Sequence, residues 1–389
     1  MKNNQLKICQ LVDLANIGGA GIAAQRIANT ISETLECEIF QVSTSAKNNG
    51  LKQFSLNYSR KIQFLNFFST YLSPSFLSKV NVSDLRNQLS KILKKEKPQI
   101  INIHNLHSAG WPISLVQSCL NYSSVPVVWT LHDCWSFSGS YYPSYCPSPN
   151  KRLEIELNQF WKCSNNRLSA ITPSNWLKEE AGNGAWANHK VSVIPYPAPE
   201  SFFISRDQKS CKKALGLNEN LPTILCIAGN LNEERKGGSI LQKILASNIT
   251  ESTEFLLIGN GKDYQGKNIK NLGFIEDEIT LQIAYNAADI LLHTAPIDNL
   301  PNTVLESIAC GTPVLAINCG GVPDMVKINK SGWLVDKPCA NELAKKLSDI
   351  INTRDYMNLK ESSKSFAQEN FNTRRISLEY SKLFNELLK

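Results

Sequence analysis

Short apolar runs alternate with helical patterns along this chain, and that alternation constrains its fold more than any other feature. A first series of strand-like runs extends over residues 7–194, and a second series extends over residues 223–317. Strands that alternate with helices form right-handed βαβ units, in which helices cover both faces of a parallel sheet. The proline-rich segment 195–203 separates the two series. The sequence therefore predicts an α/β protein with two Rossmann-like domains.

Length and composition agree with two domains and exclude several other classes of protein. The 389 residues are 42% hydrophobic and 19% charged, which supplies apolar cores and excludes disordered, collagen-like and coiled-coil proteins. No repeat of about 20–50 residues is visible, and every apolar run is shorter than the roughly 18–20 residues of a membrane helix. Residues 1–14 lack the apolar segment of a signal peptide, so we expect a cytoplasmic protein.

Eleven cysteines at irregular spacing, without a C-x-x-C pair, are expected to be reduced and mostly buried thiols. The alternative is a metal held by Cys134, Cys146 and Cys163, which lie in one loop-rich stretch. Because their spacing matches no metal-binding pattern, we expect no metal site.

The net charge of +7 lies entirely in the first half of the chain. Residues 1–200 contain 19 Lys and Arg against 12 Asp and Glu, whereas residues 201–389 contain 22 of each kind. A basic half indicates an anionic partner, such as a membrane surface, a nucleic acid or an acidic substrate. No motif of a nucleic-acid-binding module is present, so we expect no nucleic acid partner.

The segment 52–80 is aromatic and basic, and it contains no acidic residue. It carries four cationic side chains, Lys52, Arg60, Lys61 and Lys79, beside apolar residues near helical spacing. One interpretation is that its apolar face packs into the core of the first domain. The other is that part of it contacts an anionic membrane, where each cation contributes about 1 kcal/mol of binding.

Ligands of open parallel sheets bind outside the carboxyl ends of the strands, so the residues that follow each strand are the candidate site residues. In the first series these are the glycine-rich GGAG at 18–21, His104, His107, His132 and Asp133. In the second series they are Asn230, Arg235, Lys236, Asp298, Glu306, Gly320 and Gly321. Glycines, histidines, a pair of cations and two carboxylates are thereby predicted at the carboxyl ends of the two sheets.

Two of these segments point to a ligand that bears a phosphate. GGAG, at 18–21, lies between a strand and a helix, where glycines let a phosphate or a sugar approach the N–H groups of a helix start. The alternative is a tight turn that requires positive φ angles. Arg235 and Lys236 precede a helical segment, where adjacent cations neutralise a diphosphate. The alternative for this pair is a solvated charged turn, because Glu233 and Glu234 lie beside it.

The segment 298–316, DNLPNTVLESIACGTPVLA, carries the most specific pattern in the chain. Pro301 suits the first turn of a helix, whose start presents unpaired N–H groups. Asp298 precedes that start, and Glu306 lies eight residues later, inside the helix. Carboxylates at this spacing suit the hydroxyl groups of two sugars, with a phosphate at the helix start between them. The alternative for Glu306 is a structural acid on the helix face.

His132 follows the strand-like run VVWTL, and Asp133 and Trp135 lie in the same loop. Because aromatic faces suit sugar rings, we interpret His132 as a site residue; the alternative is a core histidine with one hydrogen bond. The remaining histidines divide into two further site candidates, His104 and His107, and two residues interpreted as structural, His189 and His293.

Several motifs together resemble the family-4 glycosyltransferases of GT-B fold. They are GNLNEERKGG (229–238), DNLPNTVLESIACGTPVLA (298–316), GGVPDMV (320–326) and SGWLV (331–335). The segments TLHDCWSFSG (130–139) and GGAG (18–21) are similar to the bacterial polysaccharide-assembly members of that family. The resemblance covers nearly the whole chain.

The resemblance implies a retaining glycosyltransferase in cell-surface polysaccharide synthesis. Such an enzyme moves a sugar from a nucleotide-diphosphate sugar to a glycan or lipid-linked acceptor, without a metal or other cofactor. It also implies two Rossmann-like domains whose parallel sheets face each other across an interdomain cleft. Residues 1–198, completed by a carboxy-terminal helix at 370–389, would form the acceptor-side domain, and residues 199–369 the donor-binding domain. Peripheral contact with the inner face of the cell membrane through residues 52–80 fits this function.

The resemblance also implies roles for individual residues. Catalytic roles fall to His132, Asp298 and Lys236, with Lys236 near the diphosphate and the other two near the donor sugar. The residues implied in donor binding are Gly19, Gly21, Asn230, Arg235, Lys236, Phe274, Asn302, Thr303, Val304, Glu306, Gly320 and Gly321, with Glu306 at the ribose. The residues implied in acceptor binding are His104, His107, Asp133 and Trp135.

The chain departs from the family at two site positions and in one loop. The first acid of the motif is Asp298 where many relatives have Glu, and Asn230 stands where most members have Arg. Arg235 is the nearby residue that would replace the missing cation. The loop after Gly139 is contracted. Asn230 and the contracted loop favour one alternative, a non-catalytic subunit that binds sugar nucleotides. A further alternative, a hydrolase or epimerase of the same fold, should place more acid and base residues in the cleft.

Overall fold

The computed structural model describes residues 5–44, 50–61, 74–122, 124–143, 151–163, 167–261 and 264–389. The chain divides into two compact units, Met1–Ile194 with Ile376–Lys389, and Pro195–Arg375. From the sequence, the divisions were expected at 198/199 and 369/370. Residues 195–198 belong to the second unit instead of the first. There the backbone N–H of Ala198 donates to the carbonyl of Phe371 at 2.8 Å.

The described strands of the first unit form one parallel sheet. They are β1 (Lys7–Leu11), β2 (Glu38–Ser43), β3 (Lys52–Ser55), β4 (Ile100–Ile103), β5 (Val127–Thr130), β6 (Leu168–Thr172) and β7 (Val191–Val193). Their order across the sheet is β3-β2-β1-β4-β5-β6-β7, and every pair is parallel. The helices between them are α1 (Gly18–Leu35), α2 (Pro74–Glu96), α3 (Ser114–Tyr122), α4 (Trp135–Ser138), α5 (Lys151–Cys163) and α6 (Asn175–Gly182).

The second unit has the same architecture. Its described strands are β8 (Thr223–Asn230), β9 (Glu254–Asn260), β10 (Ile269–Asn271), β11 (Ile290–His293), β12 (Val314–Ile317) and β13 (Gly332–Val335). They pair in parallel in the order β10-β9-β8-β11-β12-β13. Its helices are α7 (Gln208–Ala214), α8 (Gly238–Leu245), α9 (Ile249–Ser252), α10 (Glu278–Ala287), α11 (Asn302–Ala309), α12 (Val322–Met325), α13 (Ala340–Thr353), α14 (Asp355–Asn358) and α15 (Lys360–Phe371). The last helix, α16 (Thr373–Leu387), begins in this unit and continues into the first.

The central strands are short, apolar and buried on both faces, as parallel sheets require. Every residue of β4 and β5 is buried, and so is every residue of β11 and β12. Helix α1 supplies the complementary surface in the first unit, because Ala24, Ile27, Ala28 and Ile31 recur at the spacing of one helical face and are all buried. This pattern is the one that predicted an α/β fold with two parallel sheets, and the prediction is confirmed.

The sequence prediction missed elements in which the apolar pattern is weak. The edge strands β3 and β10 read KQFS and IKN, so neither contains an apolar run. The third missed strand, β13, is apolar but has only four residues. The described helices without a counterpart in the prediction are α3, α4, α5, α6, α7, α9, α12, α14 and α15.

The beginning of the segment 52–80 packs into the first unit. Leu56 is buried, and Phe54 and Tyr58 pack against the core of that unit. The Lys52 ammonium lies 2.7 Å from Glu96 Oε2, and the Glu96 side chain is almost completely buried. Core packing therefore describes Phe54, Leu56 and Tyr58, whereas Lys52, Ser55 and Asn57 are exposed. Residues 62–73 and the side chains of 74–79 lie outside the described residues.

Neither disulfides nor a metal cluster is found in the part of the chain that the structure describes. The ten cysteines in that part are free thiols, and Cys146 lies outside it. No group of three or more His, Cys, Asp or Glu residues there could hold a metal ion. Among the described helices, none is both long and apolar enough to cross a membrane.

A buried carboxylate joins helices and strands at the amino end of the second sheet. Asp289 precedes β11, and its Oδ2 accepts from Lys212 Nζ at 2.9 Å and from the backbone N–H of Thr223 at 2.8 Å. Its Oδ1 accepts from Gln208 Nε2 at 2.9 Å. The side chains of Lys212 and Asp289 are both at least nine-tenths buried. One carboxylate therefore connects α7 to the starts of β8 and β11.

Asp289→Asn is expected to lower the free energy of unfolding of the second unit by about 3–5 kcal/mol, because it leaves the buried Lys212 ammonium without its counter-ion. Urea and thermal unfolding measure the effect. Lys337→Gln is the control, since Lys337 forms an exposed pair with Glu342 at 3.8 Å and should unfold like the wild type. Equal stability of the two variants would contradict a stabilising role for Asp289.

Candidate functional site

Lys236 and Asp298 meet at the carboxyl end of the second sheet. Lys236 lies in the 3-10 turn Glu234–Lys236 after β8, and Asp298 lies in the loop after β11, the strand beside β8. The Lys236 Nζ is 2.5 Å from Asp298 Oδ2. The hydroxyl of Thr294 donates to the carbonyl of Lys236 at 2.9 Å, which fastens the turn to the end of β11. The predicted catalytic lysine and aspartate are therefore in direct contact.

The loop after β12 supports Asp298. The backbone N–H of Gly321 donates to the carbonyl of Asp298 at 3.1 Å. Gly320 has φ +52°, and a Cβ atom there would lie 1.9 Å from the same carbonyl oxygen, so a side chain at this position has no room. The Oδ1 of Asp298 accepts from the backbone N–H of Asn299 at 3.0 Å. Gly320 and Gly321, predicted at the donor sugar, thus hold the backbone that carries Asp298.

His293, interpreted as structural from the sequence, lies beside Asp298. Its Nε2 lies 3.9 Å from Asp298 Oδ2, is buried, and has no hydrogen-bond partner among the described residues. Burial lowers the pKa of His293 to about 4; the nearby Asp298 opposes the shift and Lys236 reinforces it. His293 is the last residue of β11. The rule that selected the other candidates, position at a strand's carboxyl end, would have selected it too.

The charges of this cluster are set by burial and by contact. Burial would raise the pKa of the Asp298 carboxyl, but attraction to Lys236, His293 and Arg235 and the hydrogen bond from Lys236 together leave the pKa below its ordinary value. Near neutral pH the cluster therefore contains a carboxylate, an ammonium group and a neutral imidazole. An ammonium that already pairs with a buried carboxylate is held in place for a second, incoming anion.

Arg235 and Asn230 have local partners. The Arg235 Nε lies 2.9 Å from Glu233 Oε1, in a partly exposed ion pair. The Oδ1 of Asn230 accepts from the backbone N–H of Asn232 at 2.9 Å, so this side chain stabilises its own turn. Arg235 still contributes to the lowered pKa of Asp298 by electrostatic attraction. Whether it replaces the cation missing at Asn230 stays a prediction.

Glu306 is buried on α11 and bonds to a tyrosine that the sequence analysis did not consider. The hydroxyl of Tyr285, on α10, donates to Glu306 Oε2 at 2.8 Å. The Tyr285 side chain is completely buried, and its carbonyl accepts from the hydroxyl of Thr312 at 2.7 Å. Tyr285 thus fixes the position of one Glu306 oxygen. The ribose contact of Glu306 stays a prediction.

The remaining donor candidates of the second unit lie near the start of α11 and after β10. Asn302 and Thr303 form the first turn of α11 and are partly exposed, whereas Val304 is buried in the core. Phe274 follows β10, and 54% of its surface is exposed. An exposed phenylalanine face is available to a flat apolar or aromatic ligand group.

In the first unit, His104 and His132 follow the adjacent strands β4 and β5 and bond to each other. The His104 Nδ1 lies 2.9 Å from His132 Nε2, and both rings are buried. Burial lowers the pKa of His104, and the neighbouring His132 lowers it further. Burial also lowers the pKa of His132 to about 4, against the attraction of Asp133. Both rings are therefore neutral at physiological pH.

The other acceptor candidates form an aromatic cluster beside that pair. His107 stacks on Trp135 with ring centroids 4.9 Å apart, and its Nε2 lies 3.3 Å from Asp133 Oδ2. The Asp133 Oδ1 accepts from the backbone N–H of Trp135 at 2.9 Å. Tyr141, which the sequence analysis missed, contacts the edge of His107 and is 45% exposed. The exposed Tyr141 ring is the part of this cluster that a sugar ring could reach.

Gly19 and Gly21 lie in the first turn of α1, after β1. A Cβ atom at Gly21 would lie 2.1 Å from the carbonyl oxygen of Leu14, so close packing of the backbone explains this glycine. The positive φ angle expected in this segment occurs at Gly18, at +67°. A ligand contact of Gly19 and Gly21 stays a prediction.

Two family models match the chain. Residues 17–199 match the model described as Glycosyltransferase Family 4, and residues 222–353 match the model described as Glycosyl transferases group 1. Together the two matches cover most of the chain; the first lies almost entirely in the first unit and the second lies in the second unit.

Curated relatives are similar over much or nearly all of the chain at low identity. The N-acetyl-alpha-D-glucosaminyl L-malate synthase of Bacillus anthracis is 20% identical over 385 residues, which are 96% of this chain and 95% of that protein. The putative colanic acid biosynthesis glycosyl transferase WcaC of Escherichia coli (strain K12) is 23% identical over 62% of this chain and 64% of its own length.

Solved structures share the fold over the whole chain. Sucrose-phosphate synthase from Thermosynechococcus elongatus aligns with a TM-score of 0.79 at 16% identity, over 98% of this chain and 99% of that one. Anabaena HepE in complex with UDP and glucose aligns with a TM-score of 0.73 at 16% identity, over 98% and 100%. Since family models match both units and both sheets fold as in these structures, the chain belongs to the family-4 glycosyltransferases and has the GT-B fold.

Proposed function

We propose that this glycosyltransferase is a retaining, metal-independent enzyme that uses a nucleotide-diphosphate sugar as its donor. We further propose that its acceptor is a glycan or a lipid-linked glycan of cell-surface polysaccharide synthesis. The observation that carries the proposal is the contact between Lys236 and Asp298 at the carboxyl end of the second sheet. In this assignment the second unit binds the donor and the first unit binds the acceptor.

The charges of that cluster suit transfer of a glycosyl group. As the bond between the anomeric carbon and the phosphate oxygen breaks, positive charge grows on the carbon and negative charge grows on the diphosphate. The Lys236 ammonium and the N–H groups at the start of α11 would stabilise the leaving diphosphate. The Asp298 carboxylate would hold the sugar in position, and held geometry itself lowers the barrier.

This scheme also accounts for the proton that the acceptor hydroxyl loses. The acceptor hydroxyl attacks the anomeric carbon on the same face from which the diphosphate leaves. The leaving phosphate oxygen takes the hydroxyl proton. The new C–O bond therefore has the configuration of the broken one. No nucleophilic side chain of the protein is required.

The names of similar proteins support the donor and acceptor classes without fixing either. Anabaena HepE was solved with UDP-glucose, and a Corynebacterium glutamicum relative is named a GDP-mannose-dependent mannosyltransferase. Two relatives are named for colanic acid biosynthesis in Escherichia coli, whereas the Bacillus anthracis relative is named a synthase of a glucosaminyl malate. The acceptors tested with this protein should therefore include L-malate as well as lipid-linked glycans.

A panel of radiolabelled donors distinguishes the proposal from its alternatives. Purified protein is incubated with UDP-glucose, UDP-N-acetylglucosamine or GDP-mannose, with and without acceptors, in EDTA. Label transferred to an acceptor with retained anomeric configuration supports the proposal. Release of free sugar alone indicates a hydrolase, a changed sugar that remains on the nucleotide indicates an epimerase, and binding without turnover indicates a non-catalytic subunit.

Lys236→Ala is expected to lower kcat by about 10- to 100-fold, because a charged hydrogen bond to the leaving diphosphate is lost. Binding of uridine or guanosine, which lack the diphosphate, should change little. Arg235→Ala is the matched control: its guanidinium lies in a partly exposed ion pair with Glu233, where water screens its charge, so we expect a smaller loss. Equal losses in the two variants would show that Arg235 replaces the cation absent at Asn230.

Glu306→Ala is expected to weaken binding of UDP or GDP by about 2–4 kcal/mol, because the ribose hydroxyls and Tyr285 lose a shared hydrogen-bond acceptor. Tyr285→Phe should weaken binding by about 1 kcal/mol, since Glu306 stays but is less firmly held. Isothermal titration calorimetry measures both. If the Glu306→Ala protein folds and binds the nucleotide as tightly as the wild type does, Glu306 has a purely structural role.

The amino-terminal unit is also proposed to contact anionic membrane through residues of the segment 52–80. Arg60, Lys61 and Lys52 are all exposed, but the Lys52 ammonium is paired with Glu96. The double variant Arg60→Gln/Lys61→Gln should weaken co-sedimentation with phosphatidylglycerol vesicles by about 1 kcal/mol per cation, and added salt should reduce wild-type binding. Lys52→Gln is the control and should sediment like the wild type. Wild-type protein that stays in the supernatant at low salt would exclude the contact.

A further inference from the structure

A row of buried polar side chains crosses the first sheet and ends at His132. Gln41 Nε2 donates to Gln10 Oε1 at 2.6 Å, Gln10 Nε2 lies 2.9 Å from His104 Nε2, and His104 Nδ1 lies 2.9 Å from His132 Nε2. The four side chains are between 0% and 7% exposed. Polar groups buried to this degree are costly unless each is bonded, so the direction of every bond in the row matters.

The carbonyl of Ala24, on α1, fixes that direction. A carbonyl oxygen only accepts, so the atom of the Gln10 amide that lies 2.9 Å from it must be the nitrogen Nε2. The same nitrogen lies 2.9 Å from His104 Nε2. An amide nitrogen has no lone pair to offer, so His104 Nε2 must be the acceptor. The bond from Gln41 to Gln10 Oε1 agrees with this orientation of the amide.

The tautomers of both histidines follow from this orientation. A neutral His104 that accepts at Nε2 carries its proton on Nδ1, and that N–H donates to His132 Nε2. A neutral His132 that accepts at Nε2 carries its own proton on Nδ1. We propose that Gln10 is a positioning residue that sets the tautomers of His104 and His132, so that His132 presents an N–H donor at Nδ1.

This assignment restricts what His132 does in the reaction. A fixed N–H at Nδ1 donates to an oxygen of a sugar hydroxyl or of a phosphate, and it cannot take a proton from the acceptor at that atom. The restriction rests on the proposed function, in which the leaving phosphate takes the acceptor proton. The tautomer itself does not depend on that function, because the hydrogen bonds of the free protein determine it.

The tautomers are measured by 15N NMR of the full-length protein labelled at histidine, in the wild type, Gln10→Met and Gln41→Met. Protonated and unprotonated ring nitrogens are distinguished directly, and single histidine substitutions assign the signals. The wild type is expected to show the proton on Nδ1 in both His104 and His132. Gln10→Met removes the donor to His104 Nε2, so the Nε2–H form should appear in His104.

Gln41→Met is the matched control for this measurement. Gln41 is the same residue type as Gln10, lies opposite it on the neighbouring strand and is equally buried, but it does not bond to His104. Gln10 keeps its bond to the Ala24 carbonyl in this variant, so both histidines should keep the proton on Nδ1. A wild-type His104 protonated at Nε2, or identical spectra for the two variants, would overturn the proposal. If Gln10→Met does not fold, the wild-type spectrum alone tests the tautomer assignment.

Turnover separates the tautomer assignment from the proposed function. With whichever of UDP-glucose, UDP-N-acetylglucosamine or GDP-mannose the wild type consumes, Gln10→Met should lower kcat about tenfold with little change in KM for the donor. Gln41→Met should stay near the wild type. If the spectra behave as expected but both variants turn over equally, the tautomer assignment stands and the role proposed for His132 fails. If the wild type consumes no donor, the proposed function fails and the spectra alone decide the tautomers.

Discussion

Parallel pairing of adjacent strands is the constraint on which both groups of candidate residues depend. Neighbouring parallel strands lie about 4.8 Å apart and end on the same side of the sheet, so the residues that follow them fall within reach of each other. Lys236 and Asp298 meet after β8 and β11 in this way, and His104 and His132 meet after β4 and β5. The order of the strands in the sheet thus selects which residues become partners.

The sequence predicted the features that periodicity and strand ends determine. Alternation of apolar runs with helical patterns predicted two parallel sheets, and position after a strand selected Lys236, Asp298 and His132. The choice of individual partners could not be predicted, because it depends on packing between residues far apart in the chain. Glu306 bonds to Tyr285, which nothing in the local sequence distinguishes. His293 stands at a strand end, but its contact with Asp298 depends on the packing of the loop after that strand. The family resemblance added roles for single residues that no pattern alone supports.

Each of the two clusters contains a neutral histidine, but the neighbours of the two rings differ. His293 is kept neutral by burial beside an ion pair, and His132 is kept neutral by burial beside a second imidazole. Neither ring changes charge near neutral pH, so neither acts as a proton store in that range. What the protein controls in the His104–His132 pair is the location of the proton on each ring. Gln10 has that control because its own amide is held by the backbone carbonyl of Ala24.

The position of Asp289 has a consequence for how this protein tolerates change. The ion pair of Asp289 and Lys212 lies where β8 and β11 begin, whereas Lys236 and Asp298 lie beyond the ends of the same two strands. The ion pair that supports the sheet and the candidate site residues are therefore separated by the length of a strand. Substitutions that alter the ligand-facing loops can accumulate while the opposite end keeps the sheet together. Such a division lets the candidate site residues vary while the ion pair that supports the sheet stays unchanged.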